Sequence, residues 1–233
     1  YALVIFDKRG IGESTGHYEP ATINPENLDL LASDASAALT LLASRPEVRG
    51  EMTGFVGTSA GGWVTAKAAV LNGKAAFMLL ISGATYPTLS HIRWEAFHLF
   101  GGRVPGSALS QTTVSAGLKA FGRGDVPDGM SMDQAVEEAQ KIKIDPPFAD
   151  YDPMADLRKL SIPGLWLDGD KDWTIPSGPT RRNIEILRRE GKPFAYRIVP
   201  GGWHSMLIGP KKLVLDTMDT WLAEITKPKP ASP

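Results

Sequence analysis

Five short apolar runs, residues 2–6, 52–57, 77–82, 164–168 and 195–199, constrain the fold of this chain more than any other feature. Each is nearly continuous in apolar residues rather than alternating, the pattern of a strand covered on both faces. Helical patterns follow most of them. Residues 25–44 start behind an Asn24 cap with Pro25 in the first turn, and repeat Leu28, Leu31, Ala35, Leu39 and Leu42 at helical spacing. Residues 60–71, 177–190 (closed by Gly191) and 211–224 read the same way. Strand–helix alternation of this kind predicts an α/β fold with a mostly parallel sheet wrapped by helices. The chain has 233 residues, 42% hydrophobic and 22% charged, enough for one large domain with a real core.

Residues 83–162 break the rhythm and are too long for an ordinary crossover. Three helical stretches, 89–100, 107–121 and 132–144, carry apolar residues at spacings of three and four (Ile92, Phe97, Phe100; Leu118, Phe121; Val136, Ala139). The expected organisation is a core of residues 1–84 and 161–226, a helical cap or lid over 85–160, and a disordered tail over 227–233. A purely structural insertion is the alternative to a cap. The net charge of −1 gives no basic excess for nucleic acid, and no apolar run reaches the ~20 residues of a membrane span. Cysteine is absent, which excludes disulfides, thiol catalysis and thiolate metal sites but leaves the localisation open. The chain opens on an apolar run at Tyr1 rather than on Met, so a cut upstream is expected.

Gly57-Thr58-Ser59-Ala60-Gly61 is a G-x-S-x-G placed after a strand and opening a helix. In that context the turn is sharp, Ser59 takes a strained backbone, and both glycines are expected because side chains there would clash. The Ala60 N–H, at the helix N-terminus, is the candidate oxyanion donor. An acid and a histidine should follow in that order. His204, just past the last strand, is the candidate base. His17 lies upstream of Ser59, and His91 and His98 follow no strand in this way. Asp168, Asp170 and Asp172 crowd the end of the fourth run. A calcium loop there is excluded, because Trp173 stands where the sharp turn needs Gly and Pro179 where the bidentate Glu belongs.

With these pieces assembled, the chain resembles the α/β-hydrolase superfamily, in its serine-aminopeptidase-like and esterase-like branch. Asp7-Lys-Arg9-Gly10-Ile-Gly12-Glu-Ser14 is similar to the turn after the family's fourth strand, and Gly54–Trp63 to its nucleophile region. Leu160–Pro163 and Gly169–Pro176 are similar to the run-up to its acid, and Pro200–His204 to its histidine loop. The resemblance places the acid at Asp172, with Asp170 as runner-up. It also implies caps between the sixth and seventh strands, which corresponds to 83–162. Asp7 and Arg9 read as a structural turn. Gly10 and Gly12 miss a dinucleotide fingerprint by one residue.

The resemblance implies acyl transfer to water without metal or organic cofactor. Ser59 attacks, His204 moves the proton, Asp172 orients the ring and Ala60 steadies the anion. The apolar, aromatic insertion (Trp94, Phe97, Phe100, Phe121, Phe148) suits a hydrophobic group, with Trp94 and Phe97 as the substrate-binding candidates. A carboxylesterase acting on a small-molecule ester is the expected activity. An aminopeptidase or thioesterase, acting on an amide or thioester, stays open, as does a catalytically silent binding protein. The resemblance further implies three upstream strands, one of which separates residues 2–6 from 52–57. Either a gap of roughly 10 Å or a non-native pairing is therefore expected between those runs, and the second oxyanion donor is expected to lie upstream.

Overall fold

The structure, a computed structural model, describes residues 1–17, 25–110, 113, 114, 117, 129–145 and 150–227. Four of the apolar runs form strands: β1 (Phe55–Thr58), β2 (Met78–Ile81), β3 (Gly164–Gly169) and β4 (Phe194–Val199). They pair in the order β1-β2-β3-β4, and every pair is parallel. Helices α1 (Pro25–Ala43) and α2 (Gly61–Asn72) flank β1 in sequence. Within the insertion lie α3 (Thr88–Leu99), α4 (Met132–Ala139) and α5 (Met154–Lys159). Helices α6 (Ser177–Arg189) and α7 (Lys211–Ile225) follow β3 and β4. None of the described helices is long and apolar enough to cross a membrane.

The inner strands β2 and β3 are buried along their whole length, which is why they read as nearly unbroken apolar runs, whereas the outer strands β1 and β4 leave Val56, Thr58, Arg197 and Ile198 exposed. Phe55, Met78, Leu80, Trp166 and Phe194 pack with residues of α1, α2, α5 and α6 on one face. Leu79, Ile81, Leu165, Leu167 and Val199 pack on the other, against Val214, Met218 and Trp221 of α7. The insertion has its own core, in which Trp94 and Phe97 meet Leu109, Val114, Val136 and Ile142. Its stem is stapled. Asp150 Oδ1 accepts from Thr88 Oγ1 (2.9 Å) and Leu89 N (2.8 Å), Thr88 N donates to the Tyr151 carbonyl (3.0 Å), and Tyr151 N donates to Thr88 Oγ1 (3.0 Å).

Three expectations change. Residues 1–8 hold no regular secondary structure, and Leu3 and Ile5 are 69% and 84% exposed, so the run 2–6 is not a strand and does not pair with β1. A strand exists through its ladder; with no described neighbour to complete one, the backbone of this run stays with water. The turn that follows is nevertheless built. Arg9 grips Asp34 of α1 with Nε and Nη2 (2.8 and 2.5 Å), Ser14 Oγ donates to the Asp7 carbonyl, and a Cβ on Gly12 (φ 58°) would lie 2.1 Å from Asp7 Oδ2. Within 132–144 the helix stops at Ala139. A Ser131–Gln134 capping box starts it, and the chain then turns so that Ile144 bridges Leu109. Helix α5 was missed, because it is only six residues long. The expected cap at Asn24, most of the stretch 107–121, Phe121, Phe148 and residues 228–233 lie outside the described residues.

Helix α6 shows how burial follows periodicity. Ile184 is fully buried in the core, whereas Ile186, two residues on, is 40% exposed. Ile184→Ala should cost about 2–5 kcal/mol of stability and Ile186→Ala no more than about 0.5, read by chemical denaturation. Equal losses would show that α6 does not sit on the sheet in this rotation.

Candidate active site

A parallel sheet puts the C-terminal ends of all its strands at one edge, and the candidate residues collect there. Ser59 directly follows β1, Ser82 directly follows β2, Asp172 lies three residues past β3 and His204 five past β4.

Ser59 has φ 56°, the left-handed region that non-glycine residues avoid. It is held there by the ladder on one side (Ser59 N donates to Ile81 O, 3.0 Å) and by the first helical turn on the other (Gly62 N donates to Ser59 O, 2.9 Å). Such strain persists where the surroundings over-determine the backbone. Space explains one of the flanking glycines and not the other. A Cβ on Gly57 would lie 2.5 Å from Thr65 Oγ1 and 2.9 Å from the Gly61 carbonyl, whereas a Cβ on Gly61 meets nothing within 4 Å. The glycine that α2 does require is Gly62, whose Cβ would strike the Ala84 backbone at 2.5 Å. Ala60 immediately precedes α2, among the N–H groups that a helix cannot satisfy internally.

Asp172 and His204 are brought together: His204 Nδ1 lies 3.0 Å from Asp172 Oδ2. Oδ1 of the same carboxylate accepts from Thr174 N (2.9 Å) and Ile175 N (3.0 Å). Burial pushes the Asp172 pKa up. The bonds from His204 and Ile175, the His204 charge and the Ser82 hydroxyl outweigh it and hold the carboxyl below its usual range. Asp170 turns to solvent instead. The Ser59 hydroxyl makes no hydrogen bond to His204, so of the expected chain of three residues the His204–Asp172 link is closed and the Ser59–His204 link is open. The acid and histidine loops touch backbone to backbone. Lys171 N donates to Gly202 O (2.9 Å), and a Cβ on Gly169 would lie 2.1 Å from that same carbonyl.

Ser82 at this edge escaped the sequence reading, which named Asp168 only as one of the three acids at the end of the fourth run. Ser82 is buried with φ 50°, and its hydroxyl lies 3.4 Å from the His204 carbonyl. Asp168 is fully buried at the end of β3, and neither carboxyl oxygen has a hydrogen-bond partner. Burial first, and the Asp172 charge second, push its pKa well above the usual range, opposed in part by the nearby Tyr196 phenol. Trp94 and Phe97, expected to bind substrate, are instead 1% and 0% exposed inside the insertion's core. Two shallow surface depressions, one beside Leu165 and Trp221 and one beside Ala75 and Leu160, are lined by none of the candidate residues. Among the described residues no group of three His, Asp or Glu side chains is placed to hold a metal ion.

No protein-family model matches the sequence, and no curated protein does. The architecture, however, recurs in solved structures. The chain is similar to DcsB in complex with its substrate analogue (TM-score 0.57, 18% identity, 96% of this chain and 80% of that one). It is also similar to a Mycobacterium tuberculosis puromycin-hydrolyzing peptidase (0.55, 18%, 87% and 26%) and to the Pyrococcus horikoshii acylaminoacyl peptidase (0.53, 15%, 87% and 29%). The fold is that of the α/β-hydrolases. The chain spans less than a third of either peptidase, and at these identities the likeness establishes the α/β-hydrolase fold alone.

Two outcomes test the site's construction. Gly57→Ala should destabilise the chain and displace Ser59, whereas Gly61→Ala should leave the melting temperature nearly unchanged; a reversed order would mean that the turn is built differently. For Asp168 the sign is set by a folded-state pKa raised above its unfolded value of about 3.9. The folded state keeps a proton that the unfolded state has released, so stability is lost as pH rises through the folded pKa. Asp168→Asn removes that titration. Its melting temperature should gain on the parent more at pH 8 than at pH 5, and a gain independent of pH would mean that Asp168 is ionised in the fold.

Proposed function

We propose that this chain carries the core of a serine hydrolase that cleaves a carboxylic ester through an acyl-enzyme on Ser59. The observation that carries the reading is the union of a strained serine after β1 with a closed Asp172–His204 pair after β3 and β4. Asp172 accepts from Nδ1, which leaves Nε2 as the site that takes the serine proton. The hydroxyl attacks the carbonyl carbon, Nε2 removes its proton, and the Ala60 N–H donates to the oxyanion. As the intermediate collapses, the imidazolium returns the proton to the departing alcohol. Water then repeats the sequence on the acyl-enzyme. The open Ser59–His204 arm is compatible with this, because such bonds commonly tighten only when substrate is bound.

A hydrophobic acyl or alcohol group is supported by other residues than those the sequence suggested. Trp173 follows the acid and Trp203 precedes the histidine, 37% and 60% exposed, and they offer apolar surface beside the catalytic pair. Amide cleavage is the second reading, favoured by the two peptidases among the similar structures. A silent binding protein fits less well, because nucleophile, base and acid are all present and two of them are in contact.

In full-length protein, a fluorophosphonate probe should label Ser59, and Ser59→Ala should lower turnover of a p-nitrophenyl ester by roughly 10⁴–10⁶-fold. A panel of esters and aminoacyl amides then ranks the two readings. Ordinary turnover by the Ser59→Ala protein would falsify the serine-hydrolase reading.

A further inference from the structure

Trp94 lies deep in the insertion, yet its polar atom leaves the insertion's core. The indole Nε1–H donates to the backbone carbonyl of Trp173 at 2.9 Å. Trp94 is 1% exposed, its ring stacks on Phe97 (6.2 Å, 19°), and the edge of His98 meets it at 4.5 Å and 87°. The ring that makes the bond is therefore fixed in place.

The carbonyl of Trp173 and the N–H of Thr174 belong to one planar peptide unit. Thr174 N is one of the two backbone donors to Asp172 Oδ1, at 2.9 Å. Trp94 thus holds one side of a peptide plane whose other side holds the acid. Rotation of that plane would break both bonds together. A donor on the carbonyl also polarises the unit, which strengthens its N–H as a donor. The opposite carboxylate oxygen, Oδ2, carries His204 at 3.0 Å. The connected path runs from the indole through one peptide and one carboxylate to the imidazole.

We propose that Trp94 is a positioning residue for the catalytic acid: through the Trp173–Thr174 peptide it fixes the Asp172 carboxylate, and so the His204 ring. The proposal rests on the hydrolase reading for its kinetic consequence but not for its structural one, and the experiment separates the two. Trp94→Phe keeps an aromatic ring and removes the donor. Replacing Trp94 with benzothienylalanine, in which sulfur stands for the indole N–H, removes the donor with almost no change of shape and covers the case in which the Phe variant folds poorly. Val136→Ala, in the same insertion core, is the control for general loss of packing.

With a p-nitrophenyl ester, either Trp94 variant should lose about 5–30-fold in kcat with KM within about twofold, the scale of one hydrogen bond. Val136→Ala should lower the melting temperature and spare kcat. In an Asp172→Asn background the Trp94 change should cost less than about twofold, because its route to the chemistry is already cut. Independently of any turnover, the proton NMR spectrum should show a slowly exchanging low-field imidazole proton, assigned by its loss in His204→Gln. It should be exchange-broadened in both Trp94 variants and sharp in Val136→Ala. An unchanged low-field proton and unchanged kcat in the Trp94 variants would overturn the proposal, as would a full-sized kcat loss in the Asp172→Asn background. Wild-type turnover by Ser59→Ala would overturn the hydrolase reading alone, and the NMR comparison would still decide the role of Trp94.

Discussion

A carboxylate can be buried only when its charge is met, and the burial of Asp172 organises the site edge of this molecule. Its two oxygens take two backbone N–H groups and one imidazole. Each of those partners comes from a segment that something else must hold. The backbone donors lie in the turn after β3, and the imidazole lies in the loop after β4. The two strands run parallel in register from Gly164↔Phe194 to Gly169↔Val199, so these loops leave the sheet side by side. Gly169 and Gly202 then let the backbones meet at a distance no side chain permits. The pair is a consequence of strand register plus two missing Cβ atoms.

The candidate nucleophile, Ser59, depends on the same edge by a different device. Ser59 is attached to β2 through its N–H and to α2 through its carbonyl, and the left-handed residue is the hinge between them. Ser82, at the end of β2, repeats the left-handed conformation one strand over, and its hydroxyl faces the His204 carbonyl. Two left-handed serines at successive strand ends precede α2 and the insertion. Leu28, Trp63, Tyr86, Tyr151 and Ile175 pack in one cluster. That cluster joins α1, α2, the root of the insertion and the turn after β3 in one apolar contact, with the Trp63 indole donating to the Tyr86 carbonyl at 2.8 Å.

What was legible in the sequence is what local pattern encodes. Strands buried on both faces announce themselves as nearly unbroken apolar runs, and residues 77–82 and 164–168 became β2 and β3 with small shifts at their ends; residues 195–199 became β4 although Arg197 and Ile198 stay exposed. Ser59 and His204 could be nominated because each follows a strand in a fixed order, whereas among the three acids after the fourth run it was the family resemblance that pointed to Asp172. Run 2–6 has the same composition but forms no strand, because a ladder is a property of two segments and composition describes one. Gly61 looked sterically required and is not, while Gly62, Gly169 and Gly202 are; only the position of the opposing backbone distinguishes them. Ser82 gave no signal and Asp168 was visible only as one of three clustered acids, since an acid or a serine at a strand end reads as solvated until its burial is known.

The insertion is where pattern and placement diverged most. Aromatic residues in a long crossover suggested a lining for substrate, yet Trp94 and Phe97 are the insertion's own core. A segment of this length that leaves and re-enters at one edge must first stabilise itself, and its largest apolar side chains are the natural material for that. Tryptophan adds what phenylalanine lacks, an N–H that requires a partner when buried. Here the partner is the carbonyl of Trp173, next to Asp172, so one side chain serves the insertion's core with its ring and the turn after β3 with its nitrogen. The stem bonds of Thr88 and Asp150 close the insertion at its root, and the Trp94–Trp173 bond ties it to the acid turn. An insertion fastened at both places cannot swing from its root as a rigid lid without breaking the acid's support.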